Sequence, residues 1–320
     1  MPLAKSNAEL AEQFFEGWDA EQTTFTLQTS GSTGQPKLIE LQRHHCIWSA
    51  ERTREAFFPP ALNVHQLCAL PLTKVGAFMQ LVRSRVWNTP IDVLEPSSNP
   101  LLHYRGTANV ASFTPMQLYE ILKQEDSKRA LHQFELVLIG GSDLSTSLEK
   151  ELLTLFPEVT FIHTFGMTET YSHFAGRKLG ESCYTVLPQT SIRVSENGCL
   201  QLNNQTTNFE WITTNDVVNI LSNNTFHFLG RSDFTINSGG IKIQLEQVEL
   251  EIQALTKWEP STFFCWYLPD ERLGQRLVLV TTHAELPSGL QFTQPYYKPT
   301  QIINVPNIAF SDNGKVIRKI

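Results

Sequence analysis

Short apolar runs alternate with helical patterns along much of this chain, and that alternation narrows the fold more than any other feature. LCALPL (67 to 72) precedes the helical pattern GAFMQLVRSRVW, IDVLE follows, and NVASF leads into a helix with Thr114 as its cap and Pro115 at its first position. ELVLIGG (135 to 141) then precedes a helix carrying Leu148, Leu152, Leu155 and Phe156, and TFIHTFG (160 to 166) closes the series. Parallel strands need crossover connections, which helices supply, so the expected class is α/β: a mostly parallel sheet with flanking helices. Ligands of such sheets bind beyond the carboxyl ends of the strands. The loops TSGSTGQPK (29 to 37), IGGSD (139 to 143) and FGMTET (165 to 170) would all sit there.

The two ends of the chain read differently. Ser6 and Glu9 form an S-x-x-E capping box ahead of Leu10, Phe14 and Trp18, so the first element is an amphipathic helix, and FTLQTS (25 to 30) is a strand entering the first loop. From about residue 183, short β-like runs separated by Asn, Gly and Thr predict a small barrel or meander ending near Arg231. Helix QLEQVELEIQAL and strands TFFCWYL and LVLVTT then predict a compact α+β tail. The expected division is a large domain over residues 1–232, with a β-rich subdomain over about 183–232, and a small mobile domain over 233–320.

Composition excludes several classes. With 320 residues, 41% hydrophobic and 18% charged, the chain can bury a real core. No apolar run approaches the roughly 20 residues of a membrane span, and the charged start MPLAKSNAELAEQFFEGW does not suit a secretory leader, so the expected compartment is the cytoplasm with no membrane partner. The five cysteines show no C-x-x-C spacing and read as reduced structural thiols. A net charge of -7 opposes nucleic-acid binding, which needs a basic face. Any phosphate must meet a local device.

TSGSTGQPK offers such a device. A turn rich in glycine and hydroxyl groups after a strand presents backbone N–H groups, hydroxyls and, at Lys37, one cation to a polyphosphate. It is not the Walker pattern, because Pro36 precedes the lysine and G-x-x-x-x-G-K-[ST] is absent. Alone, it reads equally well as a polar surface turn.

It does not stand alone. The phrase resembles the phosphate loop of the adenylate-forming superfamily, the acyl-CoA synthetases, luciferases and peptide-synthetase adenylation domains, and other signatures of that superfamily follow in order. The resemblance assigns Thr29, Ser30, Gly31, Ser32, Thr33, Gly34 and Lys37 to phosphate binding, and Gly140, Gly141 and Ser142 to the wall of an adenine pocket. In FGMTET it assigns Phe165 to stacking on adenine, with Gly166 and Met167 beside it, Thr168 to a phosphate oxygen and Glu169 to Mg2+. Asp216, ending WITTND, and Arg231 match the ribose contacts, with Asn215 where the family usually has glycine. Asp233 matches the interdomain hinge, Gly239 and Gly240 the approach to the pantetheine arm, and Lys315 in DNGKVIRK the catalytic lysine. ATP, Mg2+ and coenzyme A are the implied cofactors and co-substrates.

The acid is read from LPLTKVGAFMQLVRSRV (70 to 86). Relatives commonly read close to PLFH there, so Thr73 and Lys74 replace an aromatic and a histidine, and the segment, with FGMTETYSHF, looks most like o-succinylbenzoate-CoA ligases of menaquinone synthesis. A dicarboxylic acid leaves one spectator anion, for which Lys74 or Arg83 is the candidate partner; Ser172 and His173 lie near the expected acyl pocket. Arg83 reads equally as a solvated or paired helix residue, His173 as a structural histidine, and His44 and His45 as helix-surface residues. Family members usually carry a long region ahead of the phosphate loop, so this chain is expected to be an N-terminally shortened form, with a homodimer one way of enclosing the site. Met1 leading straight into a capped helix suits a short complete form. Two alternatives stay open: an adenylating enzyme using another acid or a carrier-protein acceptor, and a nucleotide-binding module with impaired catalysis.

Overall fold

The structure, a computed structural model, describes residues 5–28, 38–310 and 316–318. The chain forms two compact units, Met1–Ser191 with Asn203–Ile212, and Ile192–Leu202 with Thr213–Ile320.

The first unit opens with α1 (Asn7–Asp19), capped by Ser6 and Glu9 in the reciprocal box read from the sequence; it buries Asn7, Ala11, Phe14 and Trp18, and Leu10 only in part. Strands β1 (Thr24–Gln28) and β2 (Leu38–Gln42) pair antiparallel, and α2 (Arg43–Phe57) follows. Then β3 (Gln66–Cys68), α3 (Val75–Trp87), β4 (Ile91–Val93), β5 (Val110–Phe113), α4 (Pro115–Leu122), α5 (Glu125–Leu131), β6 (Leu136–Ile139), α6 (Thr146–Leu155) and β7 (Thr160–Gly166) alternate. Strands β8 (His173–Lys178) and β9 (Tyr184–Val186) complete the unit's share of the sheet, in the order β4-β3-β5-β6-β7-β8-β9. The first five of these strands are parallel; β8 and β9 run antiparallel.

Both faces of the parallel part are covered, which is why its strands read as continuous apolar runs. Ala111, Phe113, Val137, Ile139 and Phe161 face a core formed with Leu118, Ile121, Leu148 and Leu152 of α4 and α6. Their neighbours Val110, Leu136, Leu138 and Ile162 face a second core with Phe58 and Trp87. Each fully buried side chain of this size contributes about 1.5–3 kcal/mol. Of the residues expected on α6, Leu155 is instead exposed; burial moves one residue on, to Phe156 at the C-cap.

In the second unit β10 (Ser191–Val194), β11 (Cys199–Asn203), β12 (Ile212–Ser222) and β13 (Thr225–Arg231) are hydrogen-bonded in chain order, β12 and β13 antiparallel. This is the meander alternative, and the described residues contain no closed barrel. A further sheet holds β14 (Thr235–Ser238), β15 (Ile241–Gln244), β16 (Phe263–Asp270), β17 (Gly274–Thr281) and β18 (Gln301–Asn304), against which α7 (Leu245–Thr256) packs Leu245, Val248 and Ile252. The chain is therefore an α/β protein with a large mixed sheet and flanking helices. No helix among the described residues is long and apolar enough to cross a membrane.

Candidate active site

Two neighbouring strand ends carry most of the first unit's candidate residues. Past β6, Gly140 leaves space that a Cβ would lose, since it would stand 2.7 Å from Thr164 Oγ1, and Gly141 takes φ +93°. Thr164 Oγ1 donates to the Ile139 carbonyl (2.8 Å), and His163 Nε2 lies 3.3 Å from the Ser142 carbonyl. Strand β7 thus stitches down the loop 140–142. Burial, its largest cause, holds His163 below the usual imidazole range, so the ring is neutral and Nδ1 accepts from Tyr184 Oη at 2.8 Å. Phe165, two residues on, meets Phe174 and Tyr184 edge-on at 5.6 and 5.1 Å.

Beyond β7 the chain makes a 3-10 turn over Thr168–Thr170. Thr170 is buried and closes the turn: its hydroxyl accepts from the Met167 N–H (3.1 Å) and donates to the Ser172 carbonyl (2.7 Å). Tyr171 exits in the left-handed region at φ +66°. Its hydroxyl, accepting from the Gln42 N–H, reaches His45 Nδ1, each at 3.1 Å. His45 is accordingly no surface residue, being 3% exposed, whereas its neighbour His44 is exposed. The turn leaves Glu169 exposed and Thr168 half-buried, and Glu169 forms no hydrogen bond or ion pair among the described residues. No group of three metal-ligating side chains occurs among the described residues. One outward carboxylate beside a hydroxyl suits Mg2+, which keeps several waters and takes one or two carboxylates plus substrate phosphates.

The turn continues into a buried polar chain. Arg83, on α3, is 3% exposed, and its Nη2 donates to Ser172 Oγ at 2.8 Å. No carboxylate lies within ion-pair distance of it among the described residues, and its Nε is buried without a partner. Burial alone pulls the guanidinium down to about 10. Ser172 Oγ lies 3.3 Å from His173 Nδ1, and His173 Nε2 lies 2.9 Å from Thr53 Oγ1 of α2. Burial, with Arg83 adding to it, holds His173 well below the usual imidazole range. The solvated reading of Arg83 is thereby excluded. Lys74, half-buried at the N-cap of α3, lies about 14 Å from Arg83 along the helix axis and does not join this group.

In the second unit, Asp216 and Arg231 are register partners on β12 and β13, Nη1 to Oδ1 at 3.4 Å. Arg231 Nη2 also reaches Asp233 at 2.6 Å, and its backbone N–H donates to Glu246 (2.6 Å). Burial lowers the guanidinium's pKa, but the bond to Asp233 and the charges of Asp216, Asp233 and Glu246 outweigh it, so the value is raised. Asn215, the departure from the family's glycine, donates through Nδ2 to Asp233 at 3.1 Å. Gly239 and Gly240, at φ +60° and +86°, make the two-residue turn of the β14–β15 hairpin, at the end away from this cluster. Residues 29–37 and Lys315 lie outside the described residues.

Sequence reasoning missed Thr53, Tyr171, His163 and Tyr184. Tyr171 and His163 flank FGMTET closely enough to have been weighed; Tyr184, two strands on, and Thr53, on α2, carry no local signal.

A model of the AMP-binding enzyme family matches residues 3–205. Among solved structures, an acyl-CoA synthetase (AMP-forming)/AMP-acid ligase II-like protein from Dyadobacter fermentans is 32% identical, with TM-score 0.67 over 96% of this chain and 91% of that one. The Bacillus subtilis o-succinylbenzoate coenzyme A synthetase, in complex with ATP and magnesium ion, shares the fold at 18% identity, with TM-score 0.74 over 92% of this chain and 68% of that one. Curated relatives divide by acceptor and acid. A 2-succinylbenzoate–CoA ligase of Listeria monocytogenes is 24% identical over 98% of this chain and 74% of its own length. A D-alanine–D-alanyl carrier protein ligase of Lactococcus lactis is 21% identical over 97% and 71%. With more than half of its length matched, the chain belongs to the AMP-binding enzyme family, the adenylate-forming ligases.

Proposed function

We propose that this ligase activates a dicarboxylic aromatic acid of the o-succinylbenzoate type with ATP and passes the acyl group to coenzyme A. In the first step a carboxylate oxygen bonds to the α-phosphorus while the bond to the bridging oxygen breaks and pyrophosphate leaves. Two anions meet there, so positioning and cations aimed at the developing charge govern the rate. The loop 29–37 would hold the leaving phosphates, Phe165 and the 140–142 backbone the adenine, and Asp216 with Arg231 the ribose. Mg2+, when bound at Glu169, would supply charge compensation at phosphate oxygens. Lys315 would serve the first step, and rotation about Asp233 would bring Gly239 and Gly240 toward the thiol for the second.

The observation that carries the choice of acid is Arg83. A buried guanidinium with no counter-carboxylate among the described residues and an unused Nε–H is poorly compensated unless an anion joins it. A second carboxylate on the substrate would complete it. Arg83→Met is therefore expected to lower kcat/KM for o-succinylbenzoate by about 30- to 100-fold, and for benzoate, which lacks the spectator anion, by less than about threefold. Equal losses for both acids contradict the assignment. The Lactococcus relative supports a second reading, in which a carrier-protein phosphopantetheine is the acceptor. Offering coenzyme A and a loaded carrier protein in parallel separates the two.

A further inference from the structure

We infer that Thr53, on α2, is a positioning residue for acid specificity: it fixes the tautomer of His173 and so orients Ser172 toward Arg83. The inference rests on the reading of Arg83 as the partner of the acid's spectator anion.

Each hydrogen bond from Thr53 to Arg83 can be given a direction. Thr53 Oγ1 donates its one proton to the Ser49 carbonyl four residues back, at 2.8 Å. Having no second proton, it can only accept from His173, so the imidazole carries its proton on Nε2 at this 2.9 Å contact. The ring is neutral, since burial opposes its charged form. Nδ1 is then an acceptor, and its one partner among the described residues is the Ser172 hydroxyl at 3.3 Å, which must supply the proton. With that proton committed, the Ser172 oxygen presents lone pairs to Arg83 Nη2 at 2.8 Å. The guanidinium is held through one nitrogen, and its buried Nε–H stays unused. Reversing the imidazole tautomer would direct an N–H at Ser172 and leave its hydroxyl proton competing for space with the cation.

The test uses the full chain labelled with 15N-histidine. His173, identified among the nine histidines by its loss in His173→Gln, is expected to show the Nε2–H tautomer in the wild type. Thr53→Val removes the acceptor and is expected to shift it to Nδ1–H, to raise KM for o-succinylbenzoate about tenfold, and to leave KM for ATP within about twofold. Thr53→Ser keeps the hydroxyl and should restore both values. An Nδ1–H tautomer in the wild type, or equal rises in both KM values in Thr53→Val, overturns the inference. Where the valine variant does not fold, the wild-type tautomer and the serine variant decide. If Arg83→Met leaves the acid KM unchanged while the tautomer still answers to Thr53, the relay stands as geometry, and the specificity role falls with the acid site.

Discussion

Lys315→Ala is expected to slow acyl-adenylate formation by about 10²- to 10³-fold, while thioester formation from preformed acyl-adenylate keeps its rate. The asymmetry follows from charge. Only the first step drives a carboxylate onto an anionic phosphate, so only that step needs an ammonium at the reacting oxygens. The residues that follow the lysine are tied to the second unit. Val316 bridges to Phe310, the Ile317 N–H donates to the Ala309 carbonyl (2.8 Å), and Arg318 forks onto Glu249 while lying 4.4 Å over the Phe234 ring. Burial alone would lower the Arg318 pKa, but the bond and charge of Glu249 raise it, so the anchor stays charged. Pyrophosphate exchange and single-turnover thioester formation measure the two steps separately. Equal loss in both contradicts the role.

Gly166→Ala is expected to be the most damaging small substitution in FGMTET. An added Cβ would stand 2.3 Å from both His173 Cα and the Ser172 carbonyl oxygen, and backbone cannot swing away as a long side chain can. Overpacking against backbone costs about 3 kcal/mol or more, which in a unit of this size lowers Tm by roughly 6–12 °C. The same shift would displace Ser172 and His173 from Arg83, so acid KM should rise in whatever fraction stays folded. A thermal melt unchanged within about 2 °C would contradict the close approach.

The parallel sheet was legible because both its faces are buried: runs such as LVLI and VASF are apolar at all or nearly all positions, and capped helices separate them. The cap at Ser6 was legible from its partner three residues on, and that at Thr114 from the proline that follows it. The family resemblance was legible for a similar reason, each motif that carries it being a short contiguous stretch of sequence. What stayed hidden was long-range. Thr53 meets His173 across 120 residues and Tyr171 meets His45 across 126, and neither pairing leaves a local pattern. His45 looked like a surface residue because its neighbour His44 is one, and helical phase alone did not separate them. The β-rich segment defeated the choice between barrel and meander, since closure depends on register rather than on composition.

The central claim is that this chain forms an acyl-adenylate from a carboxylic acid and ATP. Acid-dependent exchange of labelled pyrophosphate into ATP reports that step without any acceptor. The account predicts exchange with Mg2+ and o-succinylbenzoate, absent without the acid and reduced about 10²-fold or more in Lys315→Ala. No exchange from folded protein with any acid in a panel of aromatic and dicarboxylic acids, or exchange indifferent to Lys315, would contradict it.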